Sequence, residues 1–467
     1  MPGVSPGPGA RGPPAGPQRR PSGQGQVVAA PQAPQSSPGK TNGKVPGRPV
    51  PPPNGLGQFG QQSYGQQTAV APVPQPTQRG NGQAPVVAQQ PVQQPVEPVL
   101  GLEACQSTIP PEVTVQHKNI TPAEFEELKR LAKERKNDAA FQLLYAKKLL
   151  EAAIVLSNEG GRADRKTTYK NQKKWIEQAQ KIVKKLATAS RPLPESVFYY
   201  GTCFGSGTLG LEVNKEKEYE FYVKASKLKY GKGAYRAGVC CEQGSGTKRD
   251  IEKAIQFYKH GAELGDPAAM FKIAMANLNG TLGFTQNTAQ AVQWLERGAA
   301  KADVESPNSL HELANLYENS DASKTLAKNE AKAFELYLKA ATLGYMPSQF
   351  KVGSAYEYGL FGCQIDPRQS IAWYSRAAKK GEPQSELGLS GWYLTGAPSV
   401  LEQNNNEAYM WARRASEKGL AKAQYSVGYF LEKGIGTPVN MFEARRWYGK
   451  AAAQQHPKAL ARLQELN

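Results

Sequence analysis

Cysteine is scarce in this chain: five in 467 residues, at positions 105, 203, 240, 241 and 363. No two stand as C-x-x-C, and any pairing leaves one over, which makes a poor disulfide framework and a poor zinc site. Reduced thiols make the cytoplasm the expected compartment. Histidine is rarer still, with four residues (117, 260, 311 and 456), none at ligand spacing from a cysteine or acid. No run approaches 18 consecutive apolar residues, so no transmembrane helix is expected. The opening MPGVSPGPGARGPP has no apolar segment of the kind a secretory signal needs. Acidic residues are nearly missing from the first hundred, which carry Glu97 against seven Lys and Arg. The formal net charge of +18 therefore divides into +6 on that stretch and +12 on the rest.

The first hundred residues also hold 22 of the 35 prolines and 16 of the 46 glycines. Such a stretch cannot bury enough apolar surface to offset its ordering entropy. Residues 1–100 are therefore predicted to be a disordered Pro/Gly/Gln-rich arm with polyproline II stretches, and 101–120 a linker. Its densest piece runs from Arg48 through Pro49 and Pro52 to Pro53. Pro49-x-x-Pro52 beside Arg48 fits an SH3 or WW groove; the same composition also serves as plain spacer.

Order is predicted from 121. Thr121-Pro122-Ala123-Glu124 spells a helix start, with Thr as N-cap, Pro in the first turn and Glu closing a capping box. An N-terminal helical region is expected over 121–194, broken at Gly160-Gly161. Its last helix runs from about Tyr169 to Ala187, with Trp175, Ile176, Ala179, Ile182, Val183 and Leu186 on one face.

Beyond that point the chain repeats itself. The segments FYVKAS, FYKHGA, WLERGA, LYLKAA, WYSRAA, WARRAS and WYGKAA begin at 221, 257, 294, 336, 373, 411 and 447. A small residue precedes each, at Gly201, Gly238, Ala274, Ala314, Gly353, Ser390 and Gly428. Six residues after it comes Gly in every unit but the fourth, which has Ser320. Each unit reads as helix A, a glycine loop and helix B: the small residue lets helix B approach, and the glycine ends helix A at positive φ. The aromatic pair is expected to fill the space between neighbouring units. A single helical hairpin cannot bury its apolar face, whereas a stack can. The prediction is an all-α superhelix, or solenoid, with seven repeats over 195–457 and a capping helix over 458–467.

The unit pattern resembles the Sel-one-like repeat, a relative of the tetratricopeptide repeat. Tyr425-Ser-Val-Gly-Tyr-Phe-Leu-Glu-Lys-Gly-Ile-Gly-Thr-Pro-Val-Asn, followed by Ala444-Arg-Arg-Trp-Tyr-Gly-Lys-Ala-Ala-Ala, carries that resemblance. A narrower one rests on Gly353-Ser-Ala-Tyr-Glu-Tyr-Gly-Leu-Phe-Gly-Cys-Gln-Ile-Asp-Pro-Arg-Gln-Ser-Ile-Ala-Trp-Tyr, Gln384-Ser-Glu-Leu-Gly-Leu-Ser-Gly-Trp-Tyr-Leu-Thr-Gly, Tyr200-Gly-Thr-Cys-Phe-Gly-Ser-Gly and Glu159-Gly-Gly-Arg-Ala-Asp-Arg-Lys-Thr-Thr. Together these look like the fungal chitin synthase activator family, over about 120–467. The resemblance implies a regulator, peripheral at the plasma membrane, septum or growth sites, that binds a chitin synthase and activates or localises it. Many members of that family end in a prenylation signal. This chain ends Gln464-Glu-Leu-Asn467 without cysteine, so that lipid anchor is not expected here.

No catalytic, cofactor or metal site is expected. Gly244-Ser-Gly-Thr-Lys looks superficially like a phosphate loop, but it lacks the spacing and recurs with the repeat. Cys203 and Cys240 each follow the small residue of helix A by two, as packing residues would. Nine Lys and Arg lie between Arg162 and Lys185 against Asp164 and Glu177. Lys173, Lys174, Lys184 and Lys185 are candidates for an anionic membrane or other acidic surface, a solvated face being the alternative. No nucleic-acid reader motif accompanies this charge, so no specific nucleic acid is expected. Helix A is expected to line the concave side of the solenoid. Tyr358, Phe361, Arg368 and Trp392 are the partner-binding candidates, because aromatic and Arg anchors suit interfaces; filling the groove between units is the other reading. The function predicted is a non-catalytic adaptor for a chitin synthase. The alternatives are a Sel-one-like scaffold for another complex and, against the missing acid–base cluster, a secreted-type repeat hydrolase.

Overall fold

The structure is a computed structural model and describes residues 120–319 and 326–466. The arm, with its 48–53 segment, lies outside those residues. The described residues form eighteen α-helices, and an isolated antiparallel bridge between Ala397 and Leu401 is their one β contact.

Helices α1 (Pro122–Glu134), α2 (Ala139–Val155) and α3 (Arg165–Ala187) precede the repeats. The capping box forms as the sequence spells it: Thr121 Oγ1 accepts the Glu124 N–H, and the Glu124 carboxylate accepts the Thr121 N–H at 2.8 Å. Helix α3 starts four residues earlier than expected, at Arg165, because Asp164 is its N-cap and accepts the Thr167 N–H at 2.8 Å. Leu143 and Leu149 of α2, and Ala179 and Val183 of α3, are buried in one cluster with Val197 and Cys203 of the first repeat. The stack thus begins on a ready-made apolar face.

Seven helix pairs follow. They are α4 (Pro194–Ser206) with α5 (Lys215–Lys227), α6 (Gly231–Gln243) with α7 (Ile251–Glu263), and α8 (Pro267–Asn279) with α9 (Thr288–Ala300). Next come α10 (Asn308–Asn319) with α11 (Glu330–Thr342), α12 (Met346–Tyr358) with α13 (Pro367–Lys379), α14 (Pro383–Thr395) with α15 (Asn405–Glu417), and α16 (Ala421–Lys433) with α17 (Met441–Ala453). Helix α18 (Pro457–Leu466) closes the stack. Every helix B opens on an Asn or Asp, from Asn214 to Asn440, whose side chain accepts the backbone N–H three residues on. The first member of each pair packs on its own helix B and on the helices of the neighbouring unit.

Tyr374 shows how the repeat is held together. A methyl group placed on Gly353, the small residue of its own unit, would stand 2.6 Å from its Cδ1. One placed on Gly388 of the next unit would stand 2.7 Å from its Cε2. The ring is 1% exposed and fills the space between the two helices. The equivalent Tyr258 and Tyr448 sit on Gly238 and Gly428 in the same way. Burial of one such ring contributes about 2–3 kcal/mol.

Candidate partner-binding surface

The buried tyrosines of helix B carry hydroxyls, and each needs a partner inside the stack. Helix A supplies a carboxylate two residues before its terminal loop position. Tyr258 donates to Glu242, Tyr337 to Glu318 at 2.6 Å, Tyr374 to Glu357 at 2.7 Å and Tyr448 to Glu432 at 3.0 Å. In unit one that position is Gly205, where a side chain would meet Glu218 of helix B, and Tyr222 donates to Glu218 instead at 3.0 Å.

The next unit then supplies a cation from the position two residues before its small residue. Lys272 reaches Glu242 at 3.0 Å, and Lys351 reaches Glu318 at 2.8 Å. Arg236 lies 5.7 Å from the Tyr222 ring centre, near Glu218. After the last unit, Arg462 of α18 donates to Glu432, Nε to Oε2 at 2.8 Å. Burial pushes Glu432 up, but hydrogen bonds from Arg462, Lys433 and Tyr448 outweigh it and hold the carboxyl at about 2. Units three and six lack the arrangement altogether. They have Leu278 and Leu394 at the acid position and Leu295 and Ala412 at the tyrosine position, with Glu312 and Ser426 facing them. Aligning the repeats on their glycines and aromatics passes over this staple, although the acid and cation spacings are legible once sought.

Unit five departs from the rule. Glu357 and Tyr374 are present, yet the position that should supply a cation is Gly388. Burial pushes the Glu357 carboxyl above its ordinary value; hydrogen bonds from Tyr374 and Tyr358 only partly offset that. Tyr358, next to Glu357 at the end of α12, is half-buried. Trp392, one turn beyond Gly388 on α14, is half-buried and donates from Nε1 to Ser370 Oγ of α13 at 3.0 Å. Arg368 is half-buried in the first turn of α13. Phe361 points elsewhere: its ring lies 6.1 Å from Phe334 and 5.9 Å from Tyr337 of unit four. It plugs that junction from a left-handed backbone (φ 58°), as Leu209 (φ 61°) does in the matching loop of unit one. The four candidates therefore divide between two junctions, and Trp392 and Phe361 both make packing contacts.

On α3, Lys166, Lys170, Lys173, Lys174, Lys181, Lys184 and Lys185 are all exposed. At 3.6 residues per turn they fall within an arc of about 120°, with Glu177 the one acid among them. None of the seven forms an ion pair with a described residue. Tyr169, on the same helix, is 65% exposed.

Elsewhere the polar groups have structural work. His311 is buried, 2.8 Å from Ser348 Oγ, and burial with nearby Lys351 lowers it to about 4. Cys203 and Cys240 are buried, and burial pushes the Cys240 thiol up to about 11, away from reactivity. Among the described residues no three His, Cys, Asp or Glu stand together as a metal site. No helix among them is long and apolar enough to cross a membrane. Gly246 explains the Gly-x-Gly motif: a side chain there would strike the Lys215 carbonyl of the preceding unit at 1.9 Å. Gly436 meets the Asn405 carbonyl at the same distance. The second glycine serves close packing of units.

The Sel1 repeat family model matches seven consecutive segments, 194–230, 231–266, 267–303, 307–345, 347–382, 383–420 and 421–456. The chain is 42% identical to "Chitin synthase regulatory factor 3" of Schizosaccharomyces pombe over 68% of this chain and 35% of that protein. It is 32% identical to "Chitin synthase regulator SKT5" of Saccharomyces cerevisiae over 72% of this chain and 49% of the relative. It is also 35% identical to the Saccharomyces cerevisiae "Activator of C kinase protein 1", over 64% of this chain and 52% of the relative. The chain thus spans about a third to a half of the length of these relatives.

Proposed function

This chain belongs to the Sel1 repeat family, and from that premise we propose that it is a non-catalytic adaptor that binds a chitin synthase and activates or localises it in fungal cell-wall and septum synthesis. The observation that carries the reading is the 42% identity, over 68% of the chain, to a relative named as a chitin synthase regulatory factor. That span exceeds the seven repeats and takes in more than a generic repeat consensus would explain. The mechanism is a population shift: the adaptor favours whichever synthase conformation or location it binds better.

The client contact in this reading lies at units five and six, around Tyr358, Arg368 and Trp392, with Phe361 in the adjoining junction. Partial exposure of these side chains supports it. A second contact joins Lys173, Lys174, Lys184 and Lys185 to anionic lipid at the plasma membrane, septum or growth site, supported by their exposure and by the absence of an ion pair to them among the described residues. The test is capture from detergent-solubilised fungal membranes on the tagged full chain, with bound proteins identified by mass spectrometry. A chitin synthase recovered with the chain, and lost on substituting Trp392, meets the expectation. A capture without any chitin synthase overturns it. A scaffold for a different complex is the second reading, favoured by the similarity to the activator of C kinase protein, and the same capture separates the two.

A further inference from the structure

The junction between units five and six holds a carboxylate prepared for a cation that no described residue provides. Acid, tyrosine and cation occur together at the junctions after units one, two, four and seven, and all three are missing after units three and six. After unit five the acid and the tyrosine are kept and the cation is replaced by glycine. We propose that this junction is a docking point for a basic side chain of the client, an Arg or Lys on a partner segment that takes up the place Lys272, Lys351 and Arg462 fill elsewhere in the stack. The proposal rests on the adaptor reading above and names what the adaptor recognises.

Three observations support it. First, the carboxylate is in place: Tyr374 holds Glu357 Oε2 at 2.7 Å, and neither hydrogen bond made to Glu357, from Tyr374 or Tyr358, comes from a charged group. No described residue supplies its counter-ion, and burial accordingly raises the affinity of the carboxyl for protons, opposite to Glu242 and Glu432, which have cations. Second, the chain cannot fill the place itself from position 388. Any Cβ there would stand 2.7 Å from the Tyr374 ring, so the helix face is bare by necessity. Gly391, one turn on, has nothing within 4 Å of where its Cβ would be, and both glycines are partly exposed. Third, the surroundings suit a guanidinium or ammonium group. Lys272 and Lys351 lie 5.7 and 5.5 Å from the ring centres of their tyrosines, so a cation at this position meets an aromatic face as well as a carboxylate. At this junction Tyr374 itself is enclosed, and the half-buried Tyr358, which also hydrogen-bonds Glu357, and Trp392, one turn beyond Gly388, are the aromatic side chains that remain accessible.

The experiment uses the full chain as bait for a phage-displayed random heptapeptide library. Recovered peptides should carry Arg or Lys at one fixed position. Synthetic copies should lose at least tenfold in affinity when that Arg is replaced by citrulline, which keeps the shape and removes the charge. Glu357→Gln should weaken binding by a similar factor. Glu318→Gln, at a junction that already has Lys351, should leave it unchanged. The citrulline comparison is made on the unaltered protein and needs no variant to fold. Recovery of peptides without a basic residue, or equal binding of Arg and citrulline copies, overturns the proposal. If basic peptides bind through Glu357 while no chitin synthase is captured, the inference stands and the identity of the client falls. If synthase capture survives Glu357→Gln undiminished, the inference falls and the adaptor reading stands.

Discussion

Arg462 of the closing helix holds Glu432 of the last repeat as Lys351 of unit five holds Glu318 of unit four, so α18 ends the stack with the same bond that links its interior units. Glu432 is 5% exposed at its side chain and Arg462 30%. Replacing Arg462 by Ala leaves a buried carboxylate with Tyr448 and Lys433 alone. The expected cost is about 2 kcal/mol, the worth of a hydrogen bond to a charged group plus exposure of an apolar stem. Urea unfolding should show it, together with faster amide exchange confined to α16–α18, since repeat stacks open from their ends. The loss should shrink as pH falls. Glu432 is held at about 2, so its stabilisation is full above its ordinary value of 4.5 and disappears as pH drops towards 2.

Two glycines of neighbouring units should respond to the same substitution with opposite sign. Gly353→Ala drives a methyl group to 2.6 Å from the enclosed Tyr374 ring, and overpacking of this kind costs about 1–3 kcal/mol. Gly391→Ala sits inside α14 with nothing within 4 Å, so it gains helix propensity, worth about 0.5–1 kcal/mol. Paired melting curves of the two variants check this. A destabilised Gly391→Ala would mean that the open space beside Trp392 is filled in solution.

The tryptophans at the middle of helix B are not equivalent. Trp373 is fully buried, and truncation to Ala should cost about 3–5 kcal/mol. Trp447 is half-buried, with Lys450 3.7 Å from its ring centre, and its truncation should cost less than half as much. Denaturant midpoints of the two variants measured side by side would decide; equal losses would contradict the difference in burial.

That difference also marks what the sequence could say. Repeat boundaries, loop glycines and the Thr121 capping box are written in local chemistry, because a left-handed residue or an N-cap acts over three or four positions. Trp373 and Trp447 occupy the same register, as do the half-buried Trp294 and Trp411 of interior units, so burial at this position is set by how each unit packs and not by the repeat motif. The staple was missed for a related reason. Its three residues lie on two units, with successive members 19 and 14 positions apart in Glu318, Tyr337 and Lys351, and each alone reads as an ordinary surface residue. The division of Tyr358, Phe361, Arg368 and Trp392 between two junctions was hidden as well. Phe361 follows a loop glycine, and the direction of its side chain depends on a left-handed backbone that composition does not announce.

Acid should weaken the middle of the stack through a buried histidine. His311 is neutral in the folded chain, its pKa lowered from 6.5 to about 4 by burial and by Lys351. The unfolded chain therefore takes up the proton first as pH falls. Stability is full above 6.5 and declines between 6.5 and 4, by about 1–2 kcal/mol at pH 5. His456, lowered to about 4 by burial and by Lys422 and Lys458, adds a loss of the same sign. Melting temperatures at pH 7.5, 6 and 5 should fall steadily. The double variant His311→Gln, His456→Gln should flatten the curve, whatever its absolute stability. An unchanged slope would assign the acid sensitivity to other groups.

The lysine face of α3 makes the remaining prediction, because it separates a solvated surface from a membrane contact. Each lysine near an anionic bilayer contributes about 1 kcal/mol. Reversing Lys173, Lys174, Lys184 and Lys185 to Glu removes four attractions and adds four repulsions. Binding of the full chain to phosphatidylcholine vesicles containing 30% phosphatidylserine should fall at least tenfold. It should also weaken as salt rises from 0.1 to 0.5 M, since screening shortens the reach of surface charge from about 10 Å at 0.1 M to about 3 Å at 1 M. The melting curve should stay in place, because these side chains are exposed and form no ion pair with a described residue. Sedimentation with the vesicles measures the first two effects and circular dichroism the third. Equal binding to pure phosphatidylcholine, or binding that ignores both salt and charge reversal, would return the seven lysines to a role in solvation.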